Sequence, residues 1–129
     1  MEIKEFLQND RLAALLGIEL LEAGDGKAKA KLEIEEKHLN TIDIVHGGTI
    51  FSLADFAFAA ASNSHGNVAV AINANVSFIK AIGSGTLFAE AFEISRNHKL
   101  ATYTVNITNS DDDLIASFQG MVYRKKETF

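Results

Sequence analysis

The sequence predicts an α+β fold in which a mostly antiparallel sheet curls around one long helix. Three observations lead there. The run from His46 to Asn63, HGGTIFSLADFAFAAASN, is long enough for a helix, opens with two glycines and is almost entirely apolar. Segments with β character lie on both sides of it, and those that follow are joined by short, turn-like connections suited to antiparallel neighbours. A helix that is apolar on every face needs protein all round it, and a curled sheet supplies that.

Taken in order, Ile3 to Leu16 carries Ile3, Phe6, Leu7, Leu12, Leu15 and Leu16 at roughly helical spacing. Asn9-Asp10 offers a break and recap within it, and Gly17 a stop. Ile18 to Leu21 is β-compatible, and Gly24-Asp25-Gly26 signals a hairpin. Ala28, Ala30, Leu32 and Ile34 then alternate with Lys27, Lys29, Lys31, Glu33 and Glu35, a period of two with one face in solvent. A loop from Glu36 to Val45 leads into the central helix. Beyond His65-Gly66 come strands at Val68 to Ile79, Thr86 to Ser95, Leu100 to Thr108 and Leu114 to Arg124.

A chain of 129 residues reads as one domain, residues 1–129, large enough for a hydrophobic core. The net charge of −5 excludes the basic stripe that a nucleic-acid binder needs. Zero cysteines exclude a disulfide framework, a thiolate nucleophile and a cysteine-bound metal. No basic-then-apolar leader opens the chain, and the long apolar run has too few strong hydrophobes for a membrane span. The expectation is a cytoplasmic protein with no nucleic-acid or membrane partner.

Asp55 is the residue to explain. It is the single carboxylate in the apolar helix, where loss of hydration costs several kcal/mol, about 3 or more, unless something offsets it. Among its helix neighbours only Ser52 lies within one turn as a hydrogen-bond donor. An ionised carboxylate in such surroundings is a competent nucleophile or general base, and both roles stay open. Gly47 and Gly48 sit where the first N–H groups of a helix lack internal partners and where a substrate oxygen can come close to the backbone. That is an oxyanion hole. Eight residues separate Gly47 from Asp55, about 12 Å along a helix, so one chain cannot bring both to the same carbon. If both act, the site combines Gly47 of one subunit with Asp55 of another, twice per two-fold dimer.

These residues carry a resemblance. His38-Leu39-Asn40, then His46-Gly47-Gly48 with the histidine six residues after Asn40, then Leu53-Ala54-Asp55 resemble the pattern of hotdog-fold acyl-CoA thioesterases, above all the phenylacetate-degradation thioesterase family. The likeness runs from about Gly17 to Arg124 and includes Phe78-Ile79-Lys80 and Gln119-Gly120. It implies a hotdog fold, protomers paired edge to edge, two such dimers joined in a homotetramer, and hydrolysis of an acyl-CoA without metal or cofactor. It places Asp55, Gly47, His46 and Asn40 in catalysis, and Gly48 and Phe78 with the substrate. Two departures stand out: Asp43 occupies a position where relatives often have glycine, and the serine or threonine that some relatives use to orient water on the strand after the helix has no counterpart around Ala71, Ile72 and Asn73. Asn73 is the substitute suggested there.

Plainer readings sit beside these. His46 can hold the loop before the helix, the two glycines can serve a tight turn, and Asn40 can be a self-bonding turn residue. Asp111-Asp112-Asp113 reads as a solvated hairpin tip. Arg96-Asn97-His98-Lys99 reads as a solvated turn, the other reading being that Arg96 or Lys99 joins Lys80 in binding coenzyme A phosphates. The four histidines lack zinc-site spacing. The acyl pocket is expected from Phe51, Phe56 or Phe58 and the loop before His46. A hotdog hydratase or dehydratase and a non-catalytic acyl-thioester binder are the alternatives. The first would want a histidine base near Asp55, and the second gains nothing from burying a carboxylate.

Overall fold

The structure is a computed structural model that describes residues 1–129. Two short helices open it, α1 (Ile3–Leu7) and α2 (Arg11–Leu16), separated where the sequence predicts a break. Asp10 caps α2 by accepting a hydrogen bond from the Ala13 amide at 2.9 Å, and Gly17 ends it in the left-handed region at φ 81°. Strands β1 (Glu19–Gly24) and β2 (Lys27–Glu33) form the predicted hairpin, whose turn needs positive φ at both Asp25 and Gly26. A single 3-10 turn, Glu36–His38, precedes the central helix α3 (Gly47–Asn63). Then come β3 (Asn67–Phe78), β4 (Thr86–Arg96), β5 (Leu100–Thr108) and β6 (Leu114–Thr128), the last running further than its apolar alternation indicates.

All neighbouring strands are antiparallel, in the order β1-β2-β4-β5-β6-β3. The sheet folds around α3 as a hotdog fold requires. Small residues make this close wrapping possible: Ala54, Ala57, Ala60 and Ala61 of α3 and Ala30, Ala89 and Ala91 of the sheet are fully buried. Where a large ring must fit, the sheet gives way. A Cβ on Gly120 would lie 2.6 Å from Phe58 Cζ, so glycine there lets the ring seat between Tyr103 and Phe118.

The wrapping is incomplete, which corrects the expectation that α3 is covered on every side. Gly48, Phe51 and Asp55 are exposed and Ser52 and Ala59 half-exposed, a stripe at intervals of three and four residues. The physical reason lies in the sheet. Strand β3 is an edge, paired to β6 alone, and on that flank Val70, Ile72, Phe78 and Ile79 are exposed. One chain supplies one sheet, and one sheet covers only part of the helix.

The far end of α3 is tied down by a polar knot. Glu93 of β4 accepts hydrogen bonds from His65 Nε2 at 2.7 Å and the Tyr103 hydroxyl at 2.8 Å. Burial alone would raise the Glu93 pKa, but these two hydrogen bonds and the nearby cations outweigh it and hold the carboxyl below the ordinary 4.5. A lowered folded-state value means stability that is present above 4.5 and lost as pH falls through the lowered value. Glu93→Gln should therefore cost about 1–3 kcal/mol in chemical denaturation at neutral pH, and clearly less in acid.

Candidate active site

The N-terminus of α3 is built from a braced loop. Asn40 Oδ1 accepts from the amides of Ile42 and Ile44 at 3.0 and 3.3 Å, so the turn reading of Asn40 describes its side-chain oxygen. Asp43 then takes φ 61°, in the left-handed region that favours glycine and that aspartate tolerates. His38, fully buried, accepts from Glu35 N at 2.8 Å through Nδ1 and donates through Nε2 to Leu16 O at 2.7 Å. It ties the loop to the end of α2. The His46 amide donates to His38 O at 2.8 Å, and the Val45 amide to Ile82 O at 2.8 Å.

His46 is the N-cap of α3, its Nδ1 accepting from the Gly48 amide at 2.8 Å. This corrects the expectation that both glycines offer free donors, because the Gly48 N–H is already spent on the cap. The Gly47 N–H has no acceptor within the protein. With Nδ1 accepting, the neutral imidazole carries its proton on Nε2. Phe78 covers the other side of Gly47: an added Cβ would lie 3.1 Å from Phe78 Cζ. Asn40, His46, Gly47, Gly48 and Phe78 are thus gathered at one end of α3. Lys80 follows Phe78 at this end, paired with Asp113 at 2.8 Å.

Asp55 projects from the open stripe two turns further on. It lines a hollow of about 30 Å³ with Asp10, Leu12, Ala13, Ile18, Ser52 and Phe56. It accepts no hydrogen bond from the protein, and the Ser52 hydroxyl, its nearest expected donor, instead donates to Gly48 O at 2.8 Å. The residue reaches solvent, yet its carboxyl sits among these walls closely enough to lose hydration. Desolvation raises its pKa above the ordinary 3.8, and the negative charge of Asp10 adds to the rise.

Three expected residues lie elsewhere. Asn73 pairs with Met121, next to Gly120 whose missing side chain faces Phe58 and α3. By alternation Asn73 faces away from the helix, where it lines an outer groove with Gln119 and Thr104. It is not placed to orient water at Asp55, and Ala71, which faces inward, has no hydroxyl to do so. Arg96 and Lys99 sit on the β4–β5 turn, near Glu93 and His65 at the opposite end of α3 from Gly47. Phe58 is also corrected: it is 1% exposed in the core and cannot line an acyl pocket, whereas Phe51 and Phe56 border the open stripe and the Asp55 hollow. Sequence reasoning named His38 only within the resemblance motif and Asp10 only as a helix start, and assigned neither a part in this region.

Chemically, a free backbone N–H at a helix N-terminus can polarise a carbonyl, and an unpartnered carboxylate with raised proton affinity can take a proton from water or attack directly. The chain matches the sequence profile of the thioesterase superfamily over residues 43–116. It is 45% identical over 129 residues to a protein of Archaeoglobus fulgidus described as a candidate esterase, spanning 98% of this chain and 84% of that one. Against the acyl-coenzyme A thioesterase PaaI of Escherichia coli it is 35% identical over 118 residues, 91% of this chain and 84% of that one. The solved structure of the E. coli PaaI protein from the phenylacetic acid degradation operon superposes with a TM-score of 0.93, covering 97% of this chain and 91% of that one at 32% identity.

Proposed function

We propose, starting from the fact that this chain belongs to the thioesterase superfamily and is a thioester hydrolase, that it cleaves acyl-CoA to a free acid and coenzyme A at sites shared between two subunits. The observation that carries this reading is a pair of unsatisfied groups on one helix. The Gly47 N–H lacks an acceptor and Asp55 lacks a donor. They are about 12 Å apart along α3, too far to meet at one carbon within a chain. Antiparallel packing of two α3 helices along their open stripes brings Gly47 of each against Asp55 of the other. The thioester carbonyl accepts from Gly47 N–H, and Asp55 acts as base toward water or as nucleophile; both roles fit its raised proton affinity.

The same packing covers the exposed flank of β3 and reverses the two helix ends. The Arg96–Lys99 turn nearest a given Gly47 is then the partner's, which supports a role for that turn, with Lys80, beside the coenzyme A phosphates. Phe78 lies against the thioester, and Phe51 and Phe56 border the acyl group, whose class we take as aryl-acetyl or medium-chain. Asn40 and His46 hold the loop and cap. Two such dimers form the homotetramer, in a cytoplasmic setting consistent with a cysteine-free chain.

Release of free thiol from a panel of acyl-CoAs of graded length and aromaticity tests this. Turnover with at least one member is expected. Tight binding of an acyl-CoA without thiol release from any of them would instead identify an acyl-thioester binding protein.

A further inference from the structure

We propose that Asp10 is a positioning residue for Asp55: a fixed negative charge, held at the start of α2 in the same small hollow as Asp55, that sets how strong a base Asp55 is. The inference rests on the catalytic reading of Asp55 above and adds to it a residue that the chemistry does not itself touch.

Geometry carries it first. Asp10 and Asp55 line the same hollow of about 30 Å³, one from the start of α2 and one from the middle of α3. Asp10 is not a wandering surface side chain, because its Oδ1 is held by the Ala13 amide at 2.9 Å. The remaining walls are Leu12, Ala13, Ile18, Phe56 and Ser52, so no cation lies in the hollow to offset the two carboxylates. Of the other charged groups on the packed elements, Arg11 follows Asp10 at the start of α2 but is not among the residues lining the hollow, and Lys4 and Glu19 line a separate groove with Phe56. Two like charges beside weakly polar walls interact more strongly than in water, and the interaction favours a proton on one of them. Repulsion from Asp10 accordingly adds to desolvation in raising the proton affinity of Asp55.

The link between α2 and catalysis is then electrostatic as well as mechanical. A carboxylate used as a base in water-rich surroundings would be weak, and this arrangement strengthens it with a side chain that already serves as a helix cap. The cap requirement alone is met by asparagine or serine, neither of which carries the charge. That difference makes the two functions of Asp10 separable.

The experiment compares wild type with Asp10→Asn and Asp10→Ser, both of which retain a capping side chain. The Asp55 carboxyl is titrated by carbon-detected NMR in the intact protein, and kcat/KM for the best acyl-CoA is measured against pH. Both variants should melt close to wild type. The Asp55 midpoint and the acid limb of kcat/KM should fall together by about 0.5–1 pH unit, with plateau kcat down about two- to three-fold and KM little changed. A midpoint that stays put in either folded variant overturns the proposal, as does a midpoint that moves while the acid limb does not. Absence of hydrolysis by wild type would sink the proposed function itself, while the NMR titration still decides separately whether Asp10 and Asp55 are coupled.

Discussion

Asp55→Asn should abolish most thioesterase turnover, by about 10²-fold or more, while leaving the protein at least as stable as wild type. The two halves of this expectation come from the same observation. Asparagine keeps the shape of the side chain but can neither accept a proton at neutral pH nor attack a carbonyl. The ionised carboxylate, for its part, is held against desolvation and the charge of Asp10, which raises its pKa above 3.8 in the folded state. A raised value means that the folded state binds its proton more tightly than the unfolded chain. The resulting penalty on folding is absent below 3.8, grows as pH rises through that value, and is complete above the folded-state value. Removing the charge lifts the penalty at neutral pH. Steady-state kinetics and thermal melts at two pH values check both halves. Turnover within a few-fold of wild type would remove Asp55 from the reaction, and a large loss of melting temperature would mark it as structural.

Two inactive variants should restore each other. Asp55→Asn subunits lack the carboxylate; subunits with Gly47→Val carry a side chain where the substrate oxygen must approach and where Phe78 already lies 3.1 Å from the Cβ position. Each homodimer is dead at both sites. In a mixed dimer one site receives both lesions, while the other receives an intact Gly47 from one chain and an intact Asp55 from the other. Random pairing after co-refolding makes about half of the dimers mixed, so activity should return to roughly a quarter of wild type. Differently tagged subunits allow the mixed dimers to be isolated, where about half of wild-type activity is expected. Isolated mixed dimers no more active than either parent would show that Gly47 and Asp55 do not serve one site across the interface.

Much of this was legible in the sequence because its signals are local. The alternation from Lys27 to Glu35, the capping at Asp10 and the hairpin at Asp25-Gly26 act within a few residues, and the structure follows them. The length and apolar character of α3 likewise located the central element. Its coverage was another matter. Hydrophobicity says that Phe51 and Phe58 avoid water, but not that Phe58 is met by the gap over Gly120 while Phe51 faces the open stripe. Strand parity was the second limit. The bulge between Ala71 and Asn73 fixes which of them faces the helix, and nothing in those residue types announces it. The third was competition for donors. Two adjacent glycines read alike in sequence, yet the imidazole of His46 takes one N–H and leaves the other.

The exposed flank of β3 has a consequence for how the protein is made and handled. A twelve-residue strand with one unpaired side and apolar residues on its surface is a template for any other strand that meets it. Its composition offers little protection, since no lysine, arginine, aspartate or glutamate occurs between Asn67 and Phe78. A lone protomer is therefore an aggregation-competent species, and in the proposed dimer the partner would act as the protective cover. Folding yield then becomes a contest between correct pairing and disordered association, both of which quicken as concentration rises. For such a dimer native stability should follow mass action, with a melting temperature that climbs with protein concentration. Rapid dilution of a folded stock would then be the harshest treatment, because separating the proposed dimer bares this edge.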